Sequence, residues 1–245
     1  MKFATLIIAA ALGCGAIDAQ AATPSPQVDP HAIAALARMS AYLRSIPAFQ
    51  ISLWTQRDDV DDYGQVITLG GGAIYRVRRP DAFFIDLFLP SVVAKYVYDG
   101  KTVTFYDART SAYGTVQAPS TIRATLELAE QKYGATVPLD DLFTWSDGDA
   151  LTKALTSAHF IGEAQIAGKT TYHYAFRQAG RDWQIWIADG DQPLPLRVAI
   201  VASNDPARPQ FRADLSWDTA PKFAPNAFTF APPADAHAVD LRPIH

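Results

Sequence analysis

Cysteine is almost missing from this chain: Cys14 is the one example in 245 residues. With no second thiol there is no internal disulfide to form, and beyond position 14 there is no cysteine nucleophile. Other reactive signatures are missing as well. The sequence has no Gly-x-Ser-x-Gly elbow, no His-Glu-x-x-His pair and no phosphate-cradling glycine loop. Gly70-Gly71-Gly72 leads into a strand pattern, so it cannot aim helix N–H groups at a phosphate. His31, His159, His173, His237 and His245 are scattered, and none has a partner at ligand spacing. Positive charge is not concentrated either. A formal net charge of -4 with no basic stripe argues against nucleic acid as a partner and leaves no cationic face for anionic lipid. These absences point away from an enzyme, a cofactor or a bound metal.

Long apolar runs are confined to the start of the chain. Lys2, the stretch from Phe3 to Leu12, and Ala19-Gln20-Ala21 before Ala22 make the pattern of a secretory signal peptide, with an apolar part too short to span a membrane. The expected organisation is a signal peptide over residues 1–21 and a single domain over residues 22–245. Cleavage would remove Cys14 and leave a thiol-free protein suited to an oxidising compartment. The competing reading is a lipoprotein signal in which Cys14, preceded by Ala11-Leu12-Gly13, is acylated. The mass of the mature chain separates the two.

Asp29-Pro30 is a good helix start, and Ile33, Leu36, Met39, Leu43 and Ile46 follow at helical spacing up to Pro47. The period then changes to two. Phe49, Ile51 and Leu53 alternate with Gln50, Ser52 and Trp54, and Asp58 to Gly64 reads as a turn. Further strands are expected at 65–77, 82–89, 92–98, 102–106 and 112–116. A helical block follows at 121–133, 138–143 and 149–156, and strands resume at 158–166, 170–178, 182–188, 194–201 and 209–217. The fold class is therefore mainly β with helices, about eleven strands in one domain. The proline-rich end, Phe223 to Pro233, is expected to pack its phenylalanines along a sheet edge.

Chemistry in this chain is aromatic rather than reactive. The hairpin Asp182 to Leu196 carries Trp183 on the side of Ile185 and Ile187, and Trp186 on the other. Aromatic side chains in strands either fill a core or wall a cavity for an apolar ligand. The candidates for such a wall are Trp54, Phe84, Phe105, Trp183 and Trp186. Asp58, Asp59, Asp61 and Asp62 read as a solvated turn in preference to a calcium loop, since the distal glutamate of an EF-hand is missing. Asp189 and Asp191 bracket a turn glycine, and His173 reads as a hydrogen-bonded structural imidazole.

Three segments in order carry a family likeness. Gly72-Ala-Ile-Tyr-Arg-Val-Arg-Arg-Pro-Asp-Ala-Phe83, Tyr98-Asp-Gly-Lys-Thr-Val-Thr-Phe-Tyr-Asp107 and Phe228-Thr-Phe-Ala-Pro-Pro233 resemble the outer-membrane lipoprotein carrier family, of LolA/LolB-like fold. The Asp182 to Pro195 segment is not part of that pattern, and looks like an uncharacterised family of predicted periplasmic proteins grouped with the same superfamily. The resemblance implies an unclosed antiparallel β-barrel whose helices, 30–46 and 121–156, lie as a lid over a hydrophobic cavity. It also implies a latch role for Arg79, holding the lid shut through bonds to helix backbone. The function expected from it is non-enzymatic. A monomeric periplasmic protein, with envelope membrane proteins as possible partners, holds a lipid or the acyl chain of a lipoprotein. The alternative is an envelope scaffold or assembly protein whose cavity is filled by side chains. Which sheet face lines the hollow stays open, because a slip of one residue exchanges the two sides.

Overall fold

The computed structural model describes residues 27–135, 139, 145 and 152–244. Asp29 caps helix α1 (Pro30–Ser45): its carboxylate accepts from His31 N at 2.8 Å, and Pro30 takes the first turn, where a missing N–H costs nothing. Ala32, Ala35, Leu36, Met39 and Leu43 recur at three- and four-residue spacing and are all buried, so one stripe of the helix faces the core. The helix stops at Ser45 because Ile46, the residue before Pro47, is held in the extended region.

Six strands follow in a meander: β1 (Ala48–Val60), β2 (Val66–Arg78), β3 (Ala82–Leu89), β4 (Val92–Tyr98), β5 (Thr102–Asp107) and β6 (Ala112–Gln117). Helix α2 (Ile122–Tyr133) starts at the N-cap Thr121 and ends at Gly134, whose φ of +66° a side chain would resist. A second meander comprises β7 (Leu155–Ile166), β8 (Lys169–Gln178), β9 (Arg181–Ala188), β10 (Pro195–Ala202) and β11 (Gln210–Asp218), with a short β12 (His237–Ala238) at the end. All twelve form one sheet in the order β12-β6-β5-β4-β3-β2-β1-β11-β10-β9-β8-β7. Strand β1 pairs with β2 on one side and β11 on the other, which welds the two meanders together. The end strands β12 and β7 do not pair with each other, so the barrel is unclosed.

Burial alternates along the strands. Phe49, Ile51, Leu53 and Thr55 of β1, Ala73, Tyr75 and Val77 of β2, and Trp183, Ile185 and Ile187 of β9 are buried on the same side as the stripe of α1. This face is the concave, helix-covered side of a half-barrel.

The structure departs from the sequence reading in three places. Strand β1 continues through Val60, so the turn narrows to residues 61–65. The twelfth strand comes from the tail and is the one parallel neighbour among the named strands, with His237 N bonding to Ser111 O and Val239 N to Tyr113 O. Local pattern could not announce a two-residue strand. The phenylalanines of the tail pack near that edge, Phe230 lying 5.7 Å from Tyr106 and 5.2 Å from Tyr113. The expected helices at 138–143 and 149–156 fall mainly outside the described residues, and β7 has already begun at Leu155.

Candidate functional site

The concave face is solid at its centre. Leu36, Met39, Ile51, Tyr75, Ile85 and Val103 are all 0% exposed, so helix and sheet interlock there without a gap. Toward α2 the packing loosens. Tyr96, Phe105, Val116 and Leu126 are only partly buried, and the Phe105 ring meets Tyr96 edge-on at 5.3 Å and Tyr133 at 5.9 Å. Helix α2 buries just Ile122, Thr125 and Ala129. Its approach is fixed by Tyr98, whose hydroxyl donates to Pro119 O at 2.6 Å; burial pushes that phenol above its ordinary pKa.

The five expected wall residues divide between the two faces. Trp183 and Phe105 stand on the concave side, Trp183 stacked on Phe176 at 4.2 Å with its indole N–H on Gln178. Trp54, Phe84 and Trp186 stand on the outer side, out of phase with their buried strand neighbours. This corrects their placement as walls of the concave hollow. Trp54 is 68% exposed between the buried Leu53 and Thr55. Phe84 lies under two cations, Arg76 at 5.0 Å and Lys95 at 5.7 Å. Side chains on a strand alternate, so a strand rich in aromatics on both phases must send half of them outward.

Arg79 lies between the two helices. Its N–H donates to Pro47 O at 2.8 Å, just past α1, and the carbonyl of Pro80 accepts from Ile122 N at the first turn of α2. The Arg79–Pro80 peptide is cis. The guanidinium sits 5.5 Å from the Phe49 ring, burial lowers its pKa, and Nε is buried without a hydrogen-bond partner among the described residues. The ties to both helix ends therefore run through main chain.

On the outer face, cross-strand register lines up one row: His173, Trp186, Arg197, Asp214, Trp54, Gly72 and Phe88, from β8 through β9, β10, β11, β1 and β2 to β3. His173 stacks flat on Trp186 at 4.0 Å and hydrogen-bonds Gln184 at 2.9 Å. Arg197 grips the Asp214 carboxylate with both Nε and a terminal nitrogen, and its guanidinium lies 5.9 Å from the Trp186 ring. Arg212 approaches the same carboxylate at 3.8 Å. Trp54 meets Phe88 edge-on at 5.8 Å. Beside Trp54 an open cleft of about 640 Å³ is lined by Gln56, Gly70, Arg212 and Asp214.

Burial lowers the pKa of His173 from its ordinary 6.5, and the Gln184 bond offsets part of that. The unfolded chain then binds this proton before the folded one does on acidification. The stability that the neutral ring contributes is present above the unfolded value and is lost as pH falls from about 6.5 toward the folded pKa. Thermal melts from pH 8 to pH 5 should show a decline in Tm that is shallower in His173→Gln.

The remaining polar candidates serve the scaffold. Asp61 accepts from Tyr63 N and Gln65 N and so closes the turn, and Asp58 accepts from Thr68 Oγ1 and Gln210 N and so ties β1 to β2 and β11. Asp189 accepts from Gly190 N, whose φ is +96°. Sequence reading missed Arg197, Arg212, Asp214 and Gln56, and took Gly70 only as part of a glycine run that cannot hold a phosphate. The only local signal of the four missed side chains is that each stands next to a buried residue of opposite phase, while the register that assembles them joins β1 to β11 from opposite ends of the chain.

A family model described as predicted periplasmic protein (DUF2092) matches residues 32–242. No curated protein matches the chain. Among solved structures, it is similar to LprF from Mycobacterium bovis at 16% identity, with 84% of this chain and 100% of that one covered and a TM-score of 0.49. An uncharacterized conserved protein from Thermus thermophilus shows 13% identity, 86% and 99% coverage and a TM-score of 0.48. A LolA superfamily protein from Nitrosomonas europaea shows 10% identity, 81% and 97% coverage and a TM-score of 0.34.

Proposed function

Because the chain belongs to the DUF2092 family of predicted periplasmic proteins, we propose that it is a non-enzymatic periplasmic binding protein that shelters a lipid or lipoprotein acyl chain on its concave face. One observation carries the reading: an apolar concave sheet is roofed, at its loosest end, by a helix that buries Ile122, Thr125 and Ala129 and packs Leu126 and Tyr133 against it only in part. Ile122 is the largest of the three buried residues, and burying such a side chain contributes about 1.5–3 kcal/mol. An acyl chain contributes about 0.8 kcal/mol per buried methylene, so a chain of about ten methylenes offsets lifting α2 off Phe105, Val116 and Tyr96. Phe105 and Trp183 are the wall residues in this reading. Arg79 is the joint: the main-chain bonds from Arg79 N to Pro47 O and from Ile122 N to Pro80 O couple the two helix ends, so movement of one is felt by the other.

Native mass spectrometry of protein taken from its own envelope should show co-purifying lipid. Uptake of a fluorescent fatty acid should weaken at least about tenfold in Phe105→Asp, since a carboxylate beside the chain is costly to desolvate. Lipid-free protein that also ignores the probe would sink the reading. That result would favour a second one, an assembly protein with a filled hollow, for which the solid packing of Leu36, Met39 and Tyr75 speaks.

A further inference from the structure

The outer face holds a second candidate site, independent of the acyl reading. Trp54 projects from mid-strand with two thirds of its surface free. Phe88 braces it edge-on, and the Phe88 ring in turn lies directly on Gly72, where a Cβ would come within 2.5 Å of Phe88 Cε2. Next to this braced ring the cleft is lined by Gly70, where a Cβ would meet nothing within 4 Å. A glycine inside a strand often marks a bulge, a bend or the close approach of a ligand or another backbone, and at Gly70 the ladder with β1 is regular and the space is open. Gln56, Arg212 and Asp214 rim the cleft with donors and acceptors, and its volume lies in the range of about 300–1,000 Å³ that small-molecule sites occupy.

The chemistry of the rim narrows the ligand. A cation is disfavoured, because the Asp214 carboxylate is already held by Arg197 and approached by Arg212. An extended peptide finds no main-chain partner, because β1 is hydrogen-bonded on both sides by β2 and β11. A purely apolar chain would leave Gln56 and Arg212 unpaired against it. What suits a flat indole beside an amide, a guanidinium and a carboxylate is a ring with an aliphatic face and a hydroxylated edge. We infer that the cleft between Trp54, Gly70 and Arg212 binds a saccharide, its C–H face stacked on Trp54 and its hydroxyls bonded to Gln56, Arg212 and Asp214.

The test uses the full mature chain labelled with nitrogen-15, the Trp54 indole resonance being assigned through Trp54→Phe. N-acetylglucosamine tetramer and maltotetraose are titrated separately, with pentaglycine and phosphatidylglycerol vesicles as other ligand classes. A saturable shift of the Trp54 indole with either oligosaccharide is expected, and the responding one tells an amino-sugar glycan from a neutral glucan. Calorimetric affinity should then fall at least tenfold in Trp54→Ala and in Gly70→Val. The second variant projects into the cleft from a position where a Cβ meets nothing within 4 Å, so its Tm should stay within a few degrees of the parent. No shift with either sugar, a shift with peptide or vesicles alone, or undiminished affinity in folded Gly70→Val would each overturn the inference. None of these outcomes bears on uptake of the acyl probe by the other face.

Discussion

Replacing Leu36 by alanine is expected to lower stability by about 2–5 kcal/mol, the range found when a fully buried leucine is truncated in a close-packed core. Leu36 is 0% exposed in the middle of α1, flanked on the same stripe by Ala32, Met39 and Ser40, all equally buried. The site is poorly placed to collapse, because rigid strands lie on one side and helix backbone on the other, so the cost belongs toward the upper part of the range. For a chain of this size each kcal/mol moves Tm by roughly 2–4 °C, so the melting temperature should drop on the order of 10 °C. The same variant bears on function. If acyl chains enter by displacing the helices, a cavity beneath α1 makes entry easier, and Leu36→Ala should take up more fatty-acid probe although it is less stable. A shift in Tm of under about 1 °C would mean that the helix is not seated on the sheet as described.

Gly72→Val should cost about 1–3 kcal/mol or more, while the same substitution two residues earlier, Gly70→Val, should cost nothing measurable. Both glycines are in β2 and both face outward, opposite Trp54 and Gln56 respectively. Their surroundings differ. A Cβ at Gly72 overlaps the carbonyl oxygen of Leu53, which is main chain in the next strand and cannot move aside, as well as the Phe88 ring. At Gly70 it enters open space, and valine is the better strand former. Denaturant melts of the two variants compare close approach with free space at constant chemistry. Equal stabilities would contradict the packing of Phe88 on Gly72, and with it the bracing of Trp54.

Much of this architecture was legible locally. Asp29-Pro30 and Pro47 set the limits of α1 through capping and through the missing proline N–H, and Thr121 and Gly134 did the same for α2. The break between the strands expected at 92–98 and 102–106 has a local physical cause as well: Asp99 accepts from Lys101 N and Thr102 N, and Gly100 takes a φ of +94°. The end of β1 was misjudged because Asp58 and Asp59 resemble turn residues, yet they pair with Thr68 and Ile67 in the ladder. Of the five aromatic wall candidates, alternation separated Trp183 from Trp186, but it could not say which of them looked inward.

That choice belongs to the assembled sheet. Alternation along each strand is a property of a few consecutive residues, so the existence of one apolar face, and the helices that could cover it, followed from sequence. Assigning that face to the concave side required α1 to be docked, since only burial against Leu36 and Met39 distinguishes it from the other. The outer row depends on still more. Arg197, Asp214 and Trp54 become neighbours only because β1 pairs with β11, and the register of strands so far apart in the chain is set by the burial of whole faces rather than by any local turn. The chain's own pattern therefore specified a greasy, helix-capped sheet, and long-range pairing turned Trp54, with Gly70 and Arg212 beside it, into a site.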